Sequence, residues 1–80
     1  MKKIKTLDQL KKLASTDEGI ECNIILNGGI GSRKHIYYDN KRFYIWNYID
    51  DSEQKLTEKA IMDTRRTNVG EAIIRGALMY

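Results

Sequence analysis

Most side chains that could take part in chemistry lie between residues 22 and 48. A glycine-rich segment comes first, and its glycines would let backbone amides approach an anion. Its candidate loop residues are Asn27, Gly28, Gly29, Gly31 and Ser32. The spacing of a Walker A motif is absent, and a strand rather than a helix follows the segment. The two open interpretations are a phosphate-holding loop and a hairpin loop that uses glycine for positive φ.

Basic and aromatic residues follow the glycines in an alternating pattern. Tyr, Trp and Arg often dominate the affinity of protein interfaces, and aromatic rings beside cations also suit single-stranded nucleic acid. A second core layer is the structural alternative, because aromatic rings are the largest side chains that a short chain can bury. The candidate partner-binding residues are Arg33, Lys34, His35, Tyr37, Tyr44, Trp46 and Tyr48.

Candidate catalytic and metal-binding groups are few. His35 and Cys22 are the single histidine and the single cysteine, which leaves a Cys/His zinc site short of ligands. No nucleophile motif accompanies His35, and Cys22 has the pattern of an inert core thiol. The acidic segment 50–58 lacks the spacing of an EF-hand. The sequence therefore predicts a protein that is not an enzyme and that uses no cofactor and no metal.

Length, charge and cysteine content narrow the function classes. Eighty residues predict one small domain over residues 1–80. The net charge of +3 is small for a dedicated nucleic-acid binder. Its distribution is uneven, since segment 33–42 is basic and segment 50–58 is acidic. A single cysteine, no signal-peptide pattern and no apolar run of membrane-spanning length predict a cytoplasmic protein without a membrane partner.

The hydrophobic pattern predicts an α+β fold with the element order αβββαα. A three-stranded antiparallel β-meander would carry one N-terminal helix and two short C-terminal helices. Helices are expected at about 7–16, 58–64 and 69–75, and strands at about 20–26, 33–38 and 43–49. Segment 50–55 has the composition of a loop, and segment 77–80 that of an extended tail running back against the sheet. The helices would cover the face of Ile24, Leu26, Phe43 and Ile45, leaving Tyr44, Trp46 and Tyr48 on the other face.

An ordered set of residues also carries a resemblance to known proteins. They are Leu26-Asn27-Gly28-Gly29, Ser32, Lys34, Ile36, Phe43, Ile45, Asn47, Ile49, Asp50, Gln54, Leu56, Thr57, Thr67-Asn68, Glu71-Ala72-Ile73 and Gly76-Ala77-Leu78. Over residues 6–80 the chain resembles a group of short proteins encoded by phages and prophages of low-GC bacteria. Small phage proteins of this type often inhibit host defence, anti-CRISPR proteins among them. The resemblance implies no catalytic residues, and Arg33 and Arg42 depart from the group's pattern.

The leading hypothesis is a non-enzymatic phage or mobile-element protein that inhibits a bacterial defence system in the host cytoplasm. It would bind a host protein stoichiometrically, and the expected partner is a nucleic-acid-processing defence complex. Two alternatives stay open. One is a small nucleic-acid-binding module that uses the basic and aromatic face, and the other is a sponge for nucleotide signals that uses the glycine-rich loop. A homodimer formed through an open sheet face is also compatible with the sequence.

Overall fold

The computed structural model describes residues 3–25 and 31–80 and shows an α+β fold. The strands are β1 (Lys3–Ile4), β2 (Ile20–Ile24), β3 (Ser32–Asp39), β4 (Arg42–Asn47), β5 (Ser52–Thr57) and β6 (Leu78–Met79). The helices are α1 (Leu7–Ala14), α2 (Glu58–Ile61) and α3 (Asn68–Arg75). All six strands form one antiparallel sheet in the order β1-β6-β2-β3-β4-β5.

The prediction of a three-stranded sheet is wrong, because three further strands extend β2, β3 and β4 on both sides. β5 lies in a segment that was expected to be mostly loop. It is an edge strand with one solvent-facing side, and it contributes only Leu56 to the buried core, so its apolar alternation is weak. β1 and β6 have two residues each, which is too short for any periodicity to identify them as strands. The predicted extended tail at 77–80 does run back against the sheet, where Leu78–Met79 forms β6 and pairs with β2.

A tight turn joins β3 to β4. Asn40 and Lys41 have φ values of 53° and 61°, and the flanking residues Asp39 and Arg42 pair directly across the ladder. A two-residue turn with positive φ at both positions is of type I′, whose twist matches that of the adjoining strands. The predicted tight turn at this position is confirmed, and it sets the register of the β3–β4 hairpin.

The predicted capping interaction at the start of α1 is present. The Thr6 hydroxyl accepts a hydrogen bond from the Gln9 amide at 3.1 Å. The side-chain oxygen of Gln9 accepts one from the Lys5 amide at 3.0 Å, one residue before the Thr6 amide that the predicted capping box would use. These two bonds satisfy amides that have no partner inside the helix. Leu10 and Ala14 then place the buried side of α1 on the sheet.

The two C-terminal helices also begin at threonine caps. Thr57 caps α2, as the sequence predicts. Thr67 rather than the expected Asn68 caps α3, with its hydroxyl accepting a hydrogen bond from the Val69 amide at 3.2 Å. α3 ends at Gly76, whose φ of 68° gives the predicted left-handed terminus.

The core lies on one side of the sheet, between the strands and the three helices. Every strand and every helix contributes to it, and the prediction for Leu26 lies outside the described residues. Its members are Ile4, Leu10, Ala14, Cys22, Ile24, Ile36, Phe43, Ile45, Leu56, Ile61, Val69, Ala72, Ile73 and Leu78. Because all three helices pack on this side, the opposite side of β2 to β5 is left for polar and aromatic side chains.

Candidate functional site

The sheet face opposite the helices, called the open face below, is formed by alternate residues of β2, β3, β4 and β5. Cross-strand pairing aligns its side chains in rows that run perpendicular to the strands. Two central rows are Glu21–His35–Trp46–Glu53 and Tyr37–Tyr44–Lys55. Residues that are far apart in the sequence are therefore neighbours on this face.

Glu21 is the centre of a hydrogen-bonded cluster on the open face. Its Oε1 accepts a hydrogen bond from the Tyr48 hydroxyl at 2.7 Å and lies 3.1 Å from Nδ1 of His35. Its Oε2 accepts one from Nε of Arg33 at 3.0 Å. Burial would raise the pKa of Glu21, but the hydrogen bonds from Tyr48, Arg33 and His35 outweigh it and hold this pKa below its ordinary value. One ionised carboxylate thus orients three of the predicted partner-binding side chains.

The aromatic rings of the open face are held by ring and cation contacts. Tyr37 and Tyr44 stack with centroids 4.6 Å apart and planes 6° apart. Nζ of Lys55 lies 5.6 Å from the centroid of Tyr44. Cζ of Arg33 lies 5.0 Å from the centroid of Tyr48. These contacts restrict ring rotation and place cations over two of the rings.

Six of the seven predicted partner-binding residues lie on the open face, and Lys34 does not. Lys34 follows Arg33 by one position, so its side chain points to the helix-covered side of β3. It is 9% exposed, and its Nζ donates a hydrogen bond to Oδ1 of Asn47. Burial lowers the pKa of Lys34, and the negative charge of Asp50 partly opposes that shift. The structure therefore separates Lys34 from the surface to which sequence reasoning assigned it.

The predicted loop residues Asn27, Gly28 and Gly29 lie outside the described residues. Of the remaining two, Gly31 is exposed, and Ser32 begins β3, where it pairs with Ile24. Anion binding by this loop stays a prediction.

The charges of the open face balance, although segment 33–42 is basic as a whole. Along β2 to β5 the face has three cationic and three acidic side chains. They are Arg33, Arg42 and Lys55 against Glu21, Asp39 and Glu53. Two features produce this balance. Successive side chains of a strand point to opposite faces, so Lys34 is buried on the other side of the sheet. The neighbouring strands β2 and β5 add the carboxylates of Glu21 and Glu53 to the open face. The surface is therefore mixed rather than basic.

Sequence reasoning did not include Glu21 in the site. The available signal was its position in β2. Glu21 is a polar residue between apolar residues that face the core, so its side chain must point to the open face. Its partners come from β3 and from the residue after β4, so the cluster becomes visible only once the register is known.

The two ring nitrogens of His35 face different neighbours. Its Nδ1 faces Glu21, while Nε2 lies beside Gly19, where an added Cβ would be 3.2 Å away. No hydroxyl or thiol in the described residues is hydrogen-bonded to this ring. Within the same part of the chain, no three His, Cys, Asp or Glu side chains group as metal ligands would.

No helix in residues 3–25 and 31–80 has the length and apolar character needed to cross a bilayer. Comparison of the chain with protein-family models, with curated proteins and with solved structures finds no match.

Proposed function

We propose that this protein is a non-enzymatic binding domain whose open face contacts a protein partner. The observation that carries the proposal is the cluster around Glu21, which orients Arg33, His35 and Tyr48 beside the stacked Tyr37–Tyr44 pair. Arg, Tyr and Trp side chains are the most frequent energetic centres of protein interfaces. Side chains that are already ordered lose less conformational entropy on binding.

The charge balance of the open face supports a protein partner over a nucleic acid. A nucleic-acid backbone carries a negative charge on every phosphate, so its binding favours a surface with net positive charge. On the open face Arg33 is paired with Glu21, Asp39 lies opposite Arg42 across the ladder, and Glu53 shares β5 with Lys55, so the cations have no excess over the carboxylates. Tyr37 and Tyr44 also cover each other's ring faces, which reduces the aromatic surface available to stack with bases.

The resemblance to short phage and prophage proteins supports a more specific form of the proposal. The partner is a protein of a bacterial defence system, such as the nuclease complex on which an anti-CRISPR protein acts. The chain blocks it stoichiometrically in the host cytoplasm and performs no chemistry. Trp46 lies in a central row of the open face, between His35 and Glu53, and tryptophan is among the most frequent energetic centres of protein interfaces.

The test is phage plating on a host with an active CRISPR nuclease, together with binding of the purified chain to that nuclease complex. Wild-type protein is expected to restore plating and to saturate the complex at a fixed stoichiometry. The double variant Tyr44→Ala/Trp46→Ala is expected to lose both effects while it remains folded. Lys59→Ala is the control, because Lys59 is exposed on α2, on the other side of the sheet.

Several results would contradict the proposal. The double variant could act like the wild type, or the wild type could bind no component of the complex. Fluorescence of Trp46, the single tryptophan, could instead respond to single-stranded oligonucleotides with an affinity that falls steeply with salt, which would favour the nucleic-acid module. A dimer in sedimentation that dissociates in the double variant would show that a second copy covers the open face.

A further inference from the structure

A second candidate site lies on the helix-covered side of the sheet, away from the open face. It is a cleft of about 220 Å³ between β3, β5 and the segment that joins α2 to α3. Its lining includes Lys34, Gln54, Thr64, Arg65, Arg66 and Asn68. Among the described residues that line it there are three cations and no carboxylate. The chemistry of the lining is therefore that of hydrogen-bond donors and positive charge.

Lys34 is the buried charge in this cleft. Its ammonium has three donors, and within the described chain its side chain has one hydrogen-bond partner, Oδ1 of Asn47. Asp50 acts on it through space, but this carboxylate accepts a hydrogen bond from Ser52 at 2.7 Å and does not line the cleft. A buried charge is normally neutralised by a paired group. The donors that remain on Lys34 are thus suited to an anion.

The two arginines of the cleft are held in place from outside it. Asp63 binds Nε and Nη2 of Arg65, each at 3.1 Å, and its Oδ2 lies 3.5 Å from Nε of Arg66. Asp63 lines a neighbouring cavity and not the cleft itself. Nε2 of Gln54 donates a hydrogen bond to the Arg66 carbonyl at 3.1 Å, which ties the segment to β5. Asp63 supplies one negative charge against these two arginines, so with Lys34 the cleft keeps a net positive charge. Both arginine side chains are largely exposed.

We propose that this cleft binds a phosphate group, either as inorganic phosphate or as the terminal group of a nucleotide. The ammonium of Lys34 is the buried contact, and Arg66 and Arg65 contribute the exposed ones. Three cationic side chains line this one small space, and cations make strong charge-assisted hydrogen bonds to phosphate oxygens. The volume is below the ~300 Å³ typical of the smallest drug-sized pockets, so one phosphate group fits it better than a whole nucleotide. This binding does not depend on the function proposed for the open face.

The experiment is a titration of the purified chain with inorganic phosphate at constant ionic strength, followed by the NMR shifts of backbone amides. The amides of Lys34, Arg66 and Asn68 are expected to move saturably with phosphate and not with chloride. Lys34→Met keeps the length of the side chain and removes its charge, and it is expected to weaken binding roughly tenfold or more. Arg66→Gln is expected to weaken it as well. Lys55→Gln removes one positive charge from the open face and is expected to leave the affinity within about twofold of the wild type.

A parallel titration with a nucleoside monophosphate distinguishes the two sources. Tighter binding than that of inorganic phosphate, lost in Lys34→Met, assigns the site to a nucleotide, and equal binding assigns it to free phosphate. The proposal is overturned if phosphate produces no saturable shift in these amides, or if Lys34→Met and Arg66→Gln bind as tightly as the wild type. If Lys34→Met does not fold, Arg66→Gln decides the outcome, because Arg66 is exposed.

Discussion

At the residue scale, whether a strand position is odd or even decides which face of the sheet its side chain points to, and therefore which partners it meets. Arg33, Lys34 and His35 are consecutive and form one basic segment in the sequence. In the sheet, Arg33 and His35 meet Glu21 on the open face, while Lys34 lies in the cleft on the other side. The period-two rule places Tyr44 and Trp46 correctly. Applied to Lys34 it gives the buried side, although lysine is a residue type that is mostly exposed in proteins.

The first prediction concerns the charge of Glu21. Glu21→Gln removes the carboxylate charge from Arg33 and His35, and we expect it to lower the free energy of unfolding by about 0.5 kcal/mol at neutral pH, since the cluster is largely exposed. The pKa of Glu21 in the folded chain is below its ordinary value of 4.5. Its stabilising contribution is therefore present above that pH and is lost as the pH falls below it.

Urea unfolding at neutral pH and at about pH 3 checks this prediction. The difference in stability between wild type and Glu21→Gln should shrink in acid. Glu18→Gln is the matched control, because Glu18 is exposed and the described residues give it no ion pair. A difference for Glu21→Gln that stays constant over the whole range would contradict the assignment of the effect to its charge.

At the element scale, the sequence predicts the elements that have a clear apolar period or a clear cap. The positions of the three helices and of β2, β3 and β4 follow from such signals. β5 does not, because an edge strand with a polar outer side resembles a loop in composition. Its pairing with β4, from Arg42–Thr57 to Asn47–Ser52, is what identifies it as part of the sheet. The alternation of β4 was enough to predict the open face. The carboxylate that organises this face is that of Glu21 on β2, and its position beside Arg33 and His35 can be found only from the strand register.

The second prediction concerns the turn between β3 and β4. Lys41 has a φ of 61°, a left-handed conformation that is unfavourable for a residue with a Cβ. Lys41→Gly relieves this strain, although glycine also increases the entropy of the unfolded chain, so we expect a net gain of about 0.5 kcal/mol in the free energy of unfolding.

Thermal or denaturant unfolding measures this gain. Asn40→Gly is the matched control and is expected to change stability less, because asparagine tolerates the left-handed region better than lysine does. Loss of stability in Lys41→Gly would mean that the side chain of Lys41 contributes more to the hairpin than its backbone strain costs.

At the scale of the whole molecule, one edge of the sheet is built by pairing two segments from opposite ends of the described chain. β6 lies between β1 and β2, with Leu78 opposite both Ile4 and Ile24. β1 has β6 as its strand neighbour in the sheet order. Leu78 is fully buried, so this one side chain joins the edge of the sheet to the core. Sequence periodicity could not predict this arrangement, because it depends on contacts between two very short segments.

The third prediction is that Leu78→Ala destabilises the protein by about 2–5 kcal/mol, since the substitution leaves a cavity where two neighbouring strands meet the core. Denaturant unfolding measures the loss. Met79→Ala changes the adjacent position, which points to the open side and is only half-buried, and is expected to cost less. Equal losses for the two variants would contradict the role assigned to Leu78.

The insertion of β6 between β1 and β2 has a kinetic consequence. β2, β3, β4 and β5 are joined as successive hairpins, so their contacts span short stretches of chain and can form early during folding. β1 and β6 must find each other across most of the polypeptide, and we expect them to dock last and to open first. Native-state hydrogen exchange would then show two tiers, with the amides of Ile4 and Leu78 exchanging through a low-energy partial opening and those of Ile36 and Ile45 only through global unfolding.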